Sequence, residues 1–119
     1  MVIRIETSDN AAAFRTAGEV TAYDYRTVIK PSIKAVMEKA DEINLLFLVE
    51  NEIGKSNAGW MEDCLLGLRS LGKWNRAAVV THCEMTIHLA KAFRYIVSGE
   101  FRWYTVDRLQ EALLWVEGK

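Results

Sequence analysis

Two apolar runs of the chain are each followed directly by polar side chains of reactive types. The first run is followed by Glu50, Asn51, Glu52, Ser56 and Asn57, and the second by His82, Cys83 and Glu84. Carboxylates and imidazoles act as general acids and bases, and thiolates act as nucleophiles and metal ligands. The two groups would form one site only if the fold brings the ends of the two runs together.

A nucleophilic thiol is one interpretation of His82 beside Cys83, because a nearby imidazolium lowers the pKa of a thiol. Adjacent residues on an extended strand point to opposite faces, so these two side chains would meet only across a turn. A metal site would need several converging ligands, and Glu50, Glu52, His82 and Glu84 match no recognised spacing. We therefore predict no metal site and no catalytic pair here, and the glycine pattern indicates no cofactor.

Ser56 and Asn57 stand where a helix is expected to begin. Serine and asparagine at such a position commonly cap the helix. The backbone amides at the start of a helix, together with the helix dipole, attract an anion. Ser56 is therefore also a candidate phosphoryl acceptor. Capping and phosphorylation are compatible, since a phosphorylated serine can also cap the helix.

The runs themselves, Ile43 to Val49 and Ala77 to Val80, do not alternate with polar residues, which is typical of strands covered on both faces. Apolar residues at helical spacing predict helices over 61–71 and 85–96. Ser98-Gly99 then breaks the pattern before a short strand, Phe101 to Tyr104. The chain thus alternates strands with helices, which favours right-handed crossovers and a parallel sheet.

Both ends of the chain extend this pattern. Val2 to Glu6 alternates apolar and charged residues, and 11–17 is expected to return beside it as a hairpin. Thr21 and Asp24 have the spacing of a helix-capping pair, and the helix that follows, to Ala40, should kink or restart at Pro31. A last helix is predicted from Val106 to Val116, with Thr105 as its cap and Gly118 at its end.

Length and composition fit one α/β domain over 1–119. The chain has 119 residues, half of them hydrophobic, enough for one core but not two. We predict a mixed, mostly parallel five-stranded sheet with an N-terminal antiparallel hairpin and about four helices. The carboxyl ends of parallel strands meet at one edge, where ligands usually bind. The candidate binding residues at that edge are Glu50, Asn51, Ser56, Asn57, Trp60, His82 and Cys83.

Charge and targeting signals indicate where the protein works. Fifteen Lys and Arg balance sixteen Asp and Glu, so no net field attracts nucleic acid. The first residues do not resemble a signal peptide, no apolar run is long enough to span a membrane, and the two cysteines do not form a disulfide framework. We expect a cytoplasmic protein, with peripheral membrane contact open through the basic and aromatic outer face of the helix at 85–96.

Six motifs share their order and spacing with a known family, and they are Gly18, Thr21 to Tyr25, Pro31, Asp63, Arg76 to Thr81, and Glu111 to Trp115. With these motifs the chain resembles the SpoIIAA-like family, a branch of the STAS superfamily related in fold to the Sec14 type of lipid-binding domain. The resemblance implies a non-enzymatic module that binds a regulatory partner or a small molecule. Some STAS domains carry a phosphorylated serine in Asp-Ser-Ser-Gly, whereas this chain has Lys55-Ser56-Asn57-Ala58-Gly59.

The leading hypothesis is a homodimeric STAS- and Sec14-like module that binds a small apolar or amphipathic ligand, a membrane surface or a protein partner. One alternative is a phosphorylation-switched antagonist of an anti-sigma factor, working through Ser56. The other is a small enzyme, a hydrolase or lyase, that uses Glu50 or His82 as a general base.

Overall fold

Five strands form the framework of the protein. The structure, a computed structural model, describes residues 2–16, 21–49, 73–82 and 99–118. The strands are β1 (Val2–Ile5), β2 (Ala12–Thr16), β3 (Ile43–Val49), β4 (Trp74–Thr81) and β5 (Glu100–Tyr104). All five were expected from the sequence, but β4 begins earlier than the apolar run alone indicates.

The strands lie in the order β1-β2-β3-β4-β5 in one sheet. β1 pairs antiparallel with β2, Val2 lying opposite Thr16, and the other three pairings are parallel. Phe47 on the central strand lies opposite Phe14 on one side and Val79 on the other. The mixed, mostly parallel sheet with its N-terminal hairpin is therefore confirmed.

The first helical region begins at the predicted capping pair. The backbone N–H of Asp24 donates to the Thr21 hydroxyl at 3.2 Å, and the backbone N–H of Thr21 donates to the Asp24 carboxylate at 3.0 Å. This reciprocal pair satisfies two amides that the first turn would otherwise leave unpaired. The helix proceeds as α1 (Ala22–Asp24), a π-helical turn (Tyr25–Ile29) and α2 (Lys30–Ala40).

The π-helical turn accommodates Pro31, which lies at the start of α2. Proline has no backbone donor and its ring crowds the preceding turn, so a regular α-helix cannot continue through it unchanged. Here the N–H of Lys30 reaches back five residues to the Tyr25 carbonyl. The Ser32 hydroxyl donates to the Val28 carbonyl at 2.7 Å. The predicted kink at Pro31 thus takes the form of a wider turn.

The C-terminal helix begins differently from the prediction. A 3₁₀ turn (Val106–Arg108) precedes α3 (Leu109–Glu117), which ends at Gly118 with φ of 81°, as predicted. Thr105 occupies the N-cap position, but its hydroxyl makes no capping bond to the first turn, so that part of the expectation is wrong. The helices predicted over 61–71 and 85–96 lie outside the described residues.

The sheet carries a core on each face. On the α2 side the Phe14 and Phe47 rings lie 5.7 Å apart, centroid to centroid. They are buried with Ile29, Ile33, Val36, Leu45 and Val49. On the α3 side the core contains Leu46, Leu48, Ala78, Val80, Tyr104, Ala112 and Val116. Every residue of β3 is buried, as its nearly unbroken apolar run predicts.

A chain of amides joins the amino ends of the strands to the end of α3. Asn44 is 3% exposed; its amide donates to the Asn10 carbonyl at 2.7 Å, and its side-chain oxygen accepts from Asn75 at 2.9 Å. Asn10 donates to the Glu117 carbonyl at 2.9 Å, and Ser8 donates to the Glu117 carboxylate at 2.6 Å. These bonds satisfy a buried polar residue and fix the end of the helix.

Candidate functional site

The carboxyl ends of the parallel strands form one edge of the sheet. Thr16, Val49 and Thr81, the last residues of β2, β3 and β4, lie side by side in the register. Tyr104, at the end of β5, pairs with Val80, one residue before the end of β4. Thr16 and Thr81 are both buried. The fold thus builds the edge at which the sequence places the candidate site.

His82 is the one predicted site residue within the described part of the chain. It follows β4 directly and is exposed at the carboxyl edge. Glu50, Asn51, Ser56, Asn57, Trp60 and Cys83 lie outside the described residues, as do Glu52 and Glu84. That the residues after β3 lie beside His82 therefore stays a prediction.

Asp107 is a neighbour of His82 that the sequence interpretation missed. It lies in the 3₁₀ turn after β5, and the electrostatic influence of His82 reaches its carboxylate. The pKa of Asp107 is lowered chiefly by a hydrogen bond from the Thr105 hydroxyl, then by its own backbone amide, with smaller contributions from His82 and Arg108. The turn after β5 thus adds an anionic group to the edge.

The described part of this edge is open to solvent. Nucleophilic catalysis by a hydroxyl requires an imidazole that accepts its proton and a carboxylate that orients the imidazole. Both His82 and Asp107 are exposed to water. Within 2–16, 21–49, 73–82 and 99–118, no three potential ligands converge as a metal site would require.

The described tryptophans differ in how deeply they are buried. Trp74, at the start of β4, is buried and finishes the core, whereas Trp103 on β5 is 36% exposed. Trp115 on α3 is partly buried beneath two arginine side chains, Arg76 and Arg102. Trp60 lies outside the described residues.

A concave region lies away from this edge. An open depression is lined by Arg4, Glu6 and Thr7 at the end of β1. Because β1 runs antiparallel, this end lies toward the amino ends of the parallel strands, with Ile5 opposite Ala13. It contains no residue of the predicted site. Among the described helices, none is long and apolar enough to cross a membrane.

Comparison with known proteins gives one result. The model of the SpoIIAA-like family matches residues 11–117, which include four of the five strands and every described helix. No curated protein and no solved structure matches the chain. The motifs quoted for the resemblance all lie within the matched segment.

Proposed function

The chain belongs to the SpoIIAA-like family, and we propose that it is a regulatory binding module of the STAS type that catalyses no reaction. The observation that carries the proposal is the family match over residues 11–117. The finer part of the proposal is that the module holds a small apolar or amphipathic ligand at the carboxyl edge of its sheet.

Two features support the placement at this edge. The strand ends at Thr16, Val49 and Thr81 lie side by side, and ligands of parallel sheets usually bind beyond such an edge. His82 offers an imidazole that donates or accepts hydrogen bonds, and Asp107 lies near it. An amphipathic ligand would place its polar group against these side chains.

The enzyme alternative has less support from the described residues. A general base at His82 would need a substrate proton within hydrogen-bond reach and a site that excludes water. His82 is exposed to water, so its surroundings among the described residues do not shield it. Binding requires neither a shielded base nor an activated nucleophile.

A fluorescent fatty-acid analogue tests the proposal, because it combines an apolar chain with a polar head. We expect saturable binding that His82→Ala weakens. The matched control is Glu38→Ala, since Glu38 is exposed near the far end of α2, away from the carboxyl edge. A double substitution, Ser56→Ala with Trp60→Ala, should weaken binding further.

Two results would count against the proposal. Equal binding by the wild type, the His82 variant and the double variant would show that the ligand lies elsewhere. Absence of saturable binding by the wild-type protein would contradict an amphipathic ligand. A phosphoryl group on Ser56 in protein from its own cells would instead favour the phosphorylation switch.

A further inference from the structure

The α3 side of β4 and β5 carries three arginines stacked on two aromatic rings. The Cζ atoms of Arg76 and Arg102 lie 5.3 and 4.7 Å from the centroid of the Trp115 ring. The Cζ of Arg108 lies 5.0 Å from the centroid of Tyr104, whose ring is 6.4 Å from that of Trp115. We call these five residues the arginine face.

Two of the three guanidinium groups have partners within the protein. Arg76 donates to the Trp115 carbonyl at 2.5 Å, close to the C-terminus of α3, where the helix dipole favours a positive charge. Arg108 binds both carboxylate oxygens of Glu111, at 2.8 and 2.7 Å. These two arginines are therefore engaged in holding the helix.

Arg102 lacks the close hydrogen-bond partners that Arg76 and Arg108 have among the described residues. It is exposed, and the polar contact that its guanidinium makes is a long one of 3.4 Å to the Tyr104 hydroxyl. Within the described part of the chain, no carboxylate forms an ion pair with it. A guanidinium carries five N–H donors, and within the described residues the Tyr104 hydroxyl is the partner of one of them. The Cζ of Arg102 lies over the Trp115 ring, a cation–π contact that restrains the guanidinium while the side chain stays exposed.

From this geometry we propose that the arginine face binds a carboxylate side chain in an acidic segment of a protein partner, with Arg102 as the principal contact. A planar guanidinium matches a carboxylate with two parallel hydrogen bonds. Because the ring already orders Arg102, less conformational entropy is lost on binding. Leu114, which precedes Trp115 in α3, is 49% exposed and offers an apolar surface on the same helix.

The charges around the face favour an acidic peptide over a polyanion. Glu111 lies close enough to Arg102 for the two charges to interact, and Asp107 lies close to Arg108. Nucleic acid or an anionic bilayer would bring many negative charges against these carboxylates, on a chain whose net charge is −1. A peptide can place one carboxylate on Arg102 and an apolar side chain on Leu114.

The test uses a synthetic peptide, Glu-Leu-Glu-Glu-Leu-Glu, and its counterpart with glutamine in place of every glutamate. Both are titrated into ¹⁵N-labelled protein, with the Trp115 indole N–H and the Arg102 amide as reporters. We expect saturable shifts with the acidic peptide, little response to the glutamine peptide, and weaker binding at higher salt. Arg102→Gln should weaken binding about three- to fivefold, as expected for one exposed ion pair.

Two variants make the result specific. Lys34→Gln removes the same charge from an exposed position on α2, on the other side of the sheet, and should leave binding unchanged. Arg102→Lys keeps the charge but loses the planar stack, and should bind with intermediate affinity. Backbone spectra of the free variants establish that each is folded.

Several outcomes would overturn the inference. They are absence of saturable binding, equal binding of the glutamine peptide, or equal weakening by Arg102→Gln and Lys34→Gln. Tighter binding of anionic vesicles or DNA than of the acidic peptide would also overturn it. The inference is independent of the ligand proposed at the carboxyl edge, since His82→Ala should leave peptide binding intact.

Discussion

Gly99, immediately before β5, is the position at which a single methyl group should be most disruptive. A Cβ built on this residue would lie 2.5 Å from the carbonyl oxygen of Trp74 and closer still to that of Asn75. Both atoms belong to the backbone of β4, which pairs with β5 from Arg76 opposite Glu100 onward. Neither oxygen can move away by a side-chain rotation.

The expected loss of stability follows from how closely the added Cβ would approach the Trp74 carbonyl oxygen. Ordinary van der Waals contact begins at 3.4 Å, so the Trp74 carbonyl would have to retreat by 0.9 Å, the difference between 2.5 and 3.4 Å. Overpacking of this kind costs about 1–3 kcal/mol, and stretching one strand-pairing hydrogen bond adds about 1 kcal/mol. The lower entropy of the unfolded alanine chain offsets about 0.4–1 kcal/mol. We therefore expect Gly99→Ala to lower the free energy of unfolding by about 1–4 kcal/mol.

Urea denaturation followed by circular dichroism measures this change, and Gly118→Ala is the matched control. Gly118 has φ of 81°, but the nearest atom to a built Cβ is 3.9 Å away, so only backbone strain is added. That strain costs about 1–2 kcal/mol, and Gly118→Asn should recover part of it. If Gly99→Ala changed stability by less than about 0.5 kcal/mol, the close approach of β4 and β5 at this point would be wrong.

The other predictions concern the capping pair and the buried amide. Asp24→Ala should cost about 1 kcal/mol at neutral pH. Because the backbone N–H of Thr21 lowers the pKa of Asp24, this contribution is complete above about pH 4 and is lost as the pH falls through the lowered pKa. The stability difference between variant and wild type should therefore shrink in urea denaturation at low pH; a constant difference would refute the role of the charge. Asn44→Ala leaves the Asn10 carbonyl and the Asn75 amide without their partner and should cost about 1–3 kcal/mol in the same assay; a change below about 0.5 kcal/mol would contradict it.

Local patterns in the sequence were sufficient for much of the fold. The run Ile43–Val49, apolar except for Asn44, predicted a strand buried on both faces because it lacks the alternation of a strand with one face in water. The spacing of Thr21 and Asp24 predicted a reciprocal cap because both partners lie within one turn. Gly118 predicted the end of α3 because helices commonly end at a position with left-handed backbone angles, which glycine adopts most readily.

Features that depend on distant partners could not be predicted in this way. β4 begins at Trp74 and includes Asn75 and Arg76, polar residues that a local pattern assigns to a loop. They are accommodated because Asn75 bonds to Asn44 on β3 and Arg76 to the end of α3. Only the folded sheet brings these partners together.

The candidate site shows the same limit. The carboxyl edge itself followed from the alternation of strands and helices, and His82 was correctly placed there. Asp107 was missed because the pairing of β5 with β4 brings a later turn beside His82. Thr105 was expected to cap the last helix with its hydroxyl; it occupies the N-cap position, but its side chain makes no capping hydrogen bond.

The central claim is that a ligand occupies the carboxyl edge of the sheet. The most direct test is the mass of the protein purified from its own cells, recorded under native and then denaturing conditions, for the wild type and His82→Ala. We predict that the native wild-type protein carries an additional non-covalent mass and that denaturation removes it. The His82→Ala variant should retain less of this mass. The same native spectrum tests the expected homodimer. Bare polypeptide in the native wild-type spectrum, or equal retention by the variant, would contradict the claim.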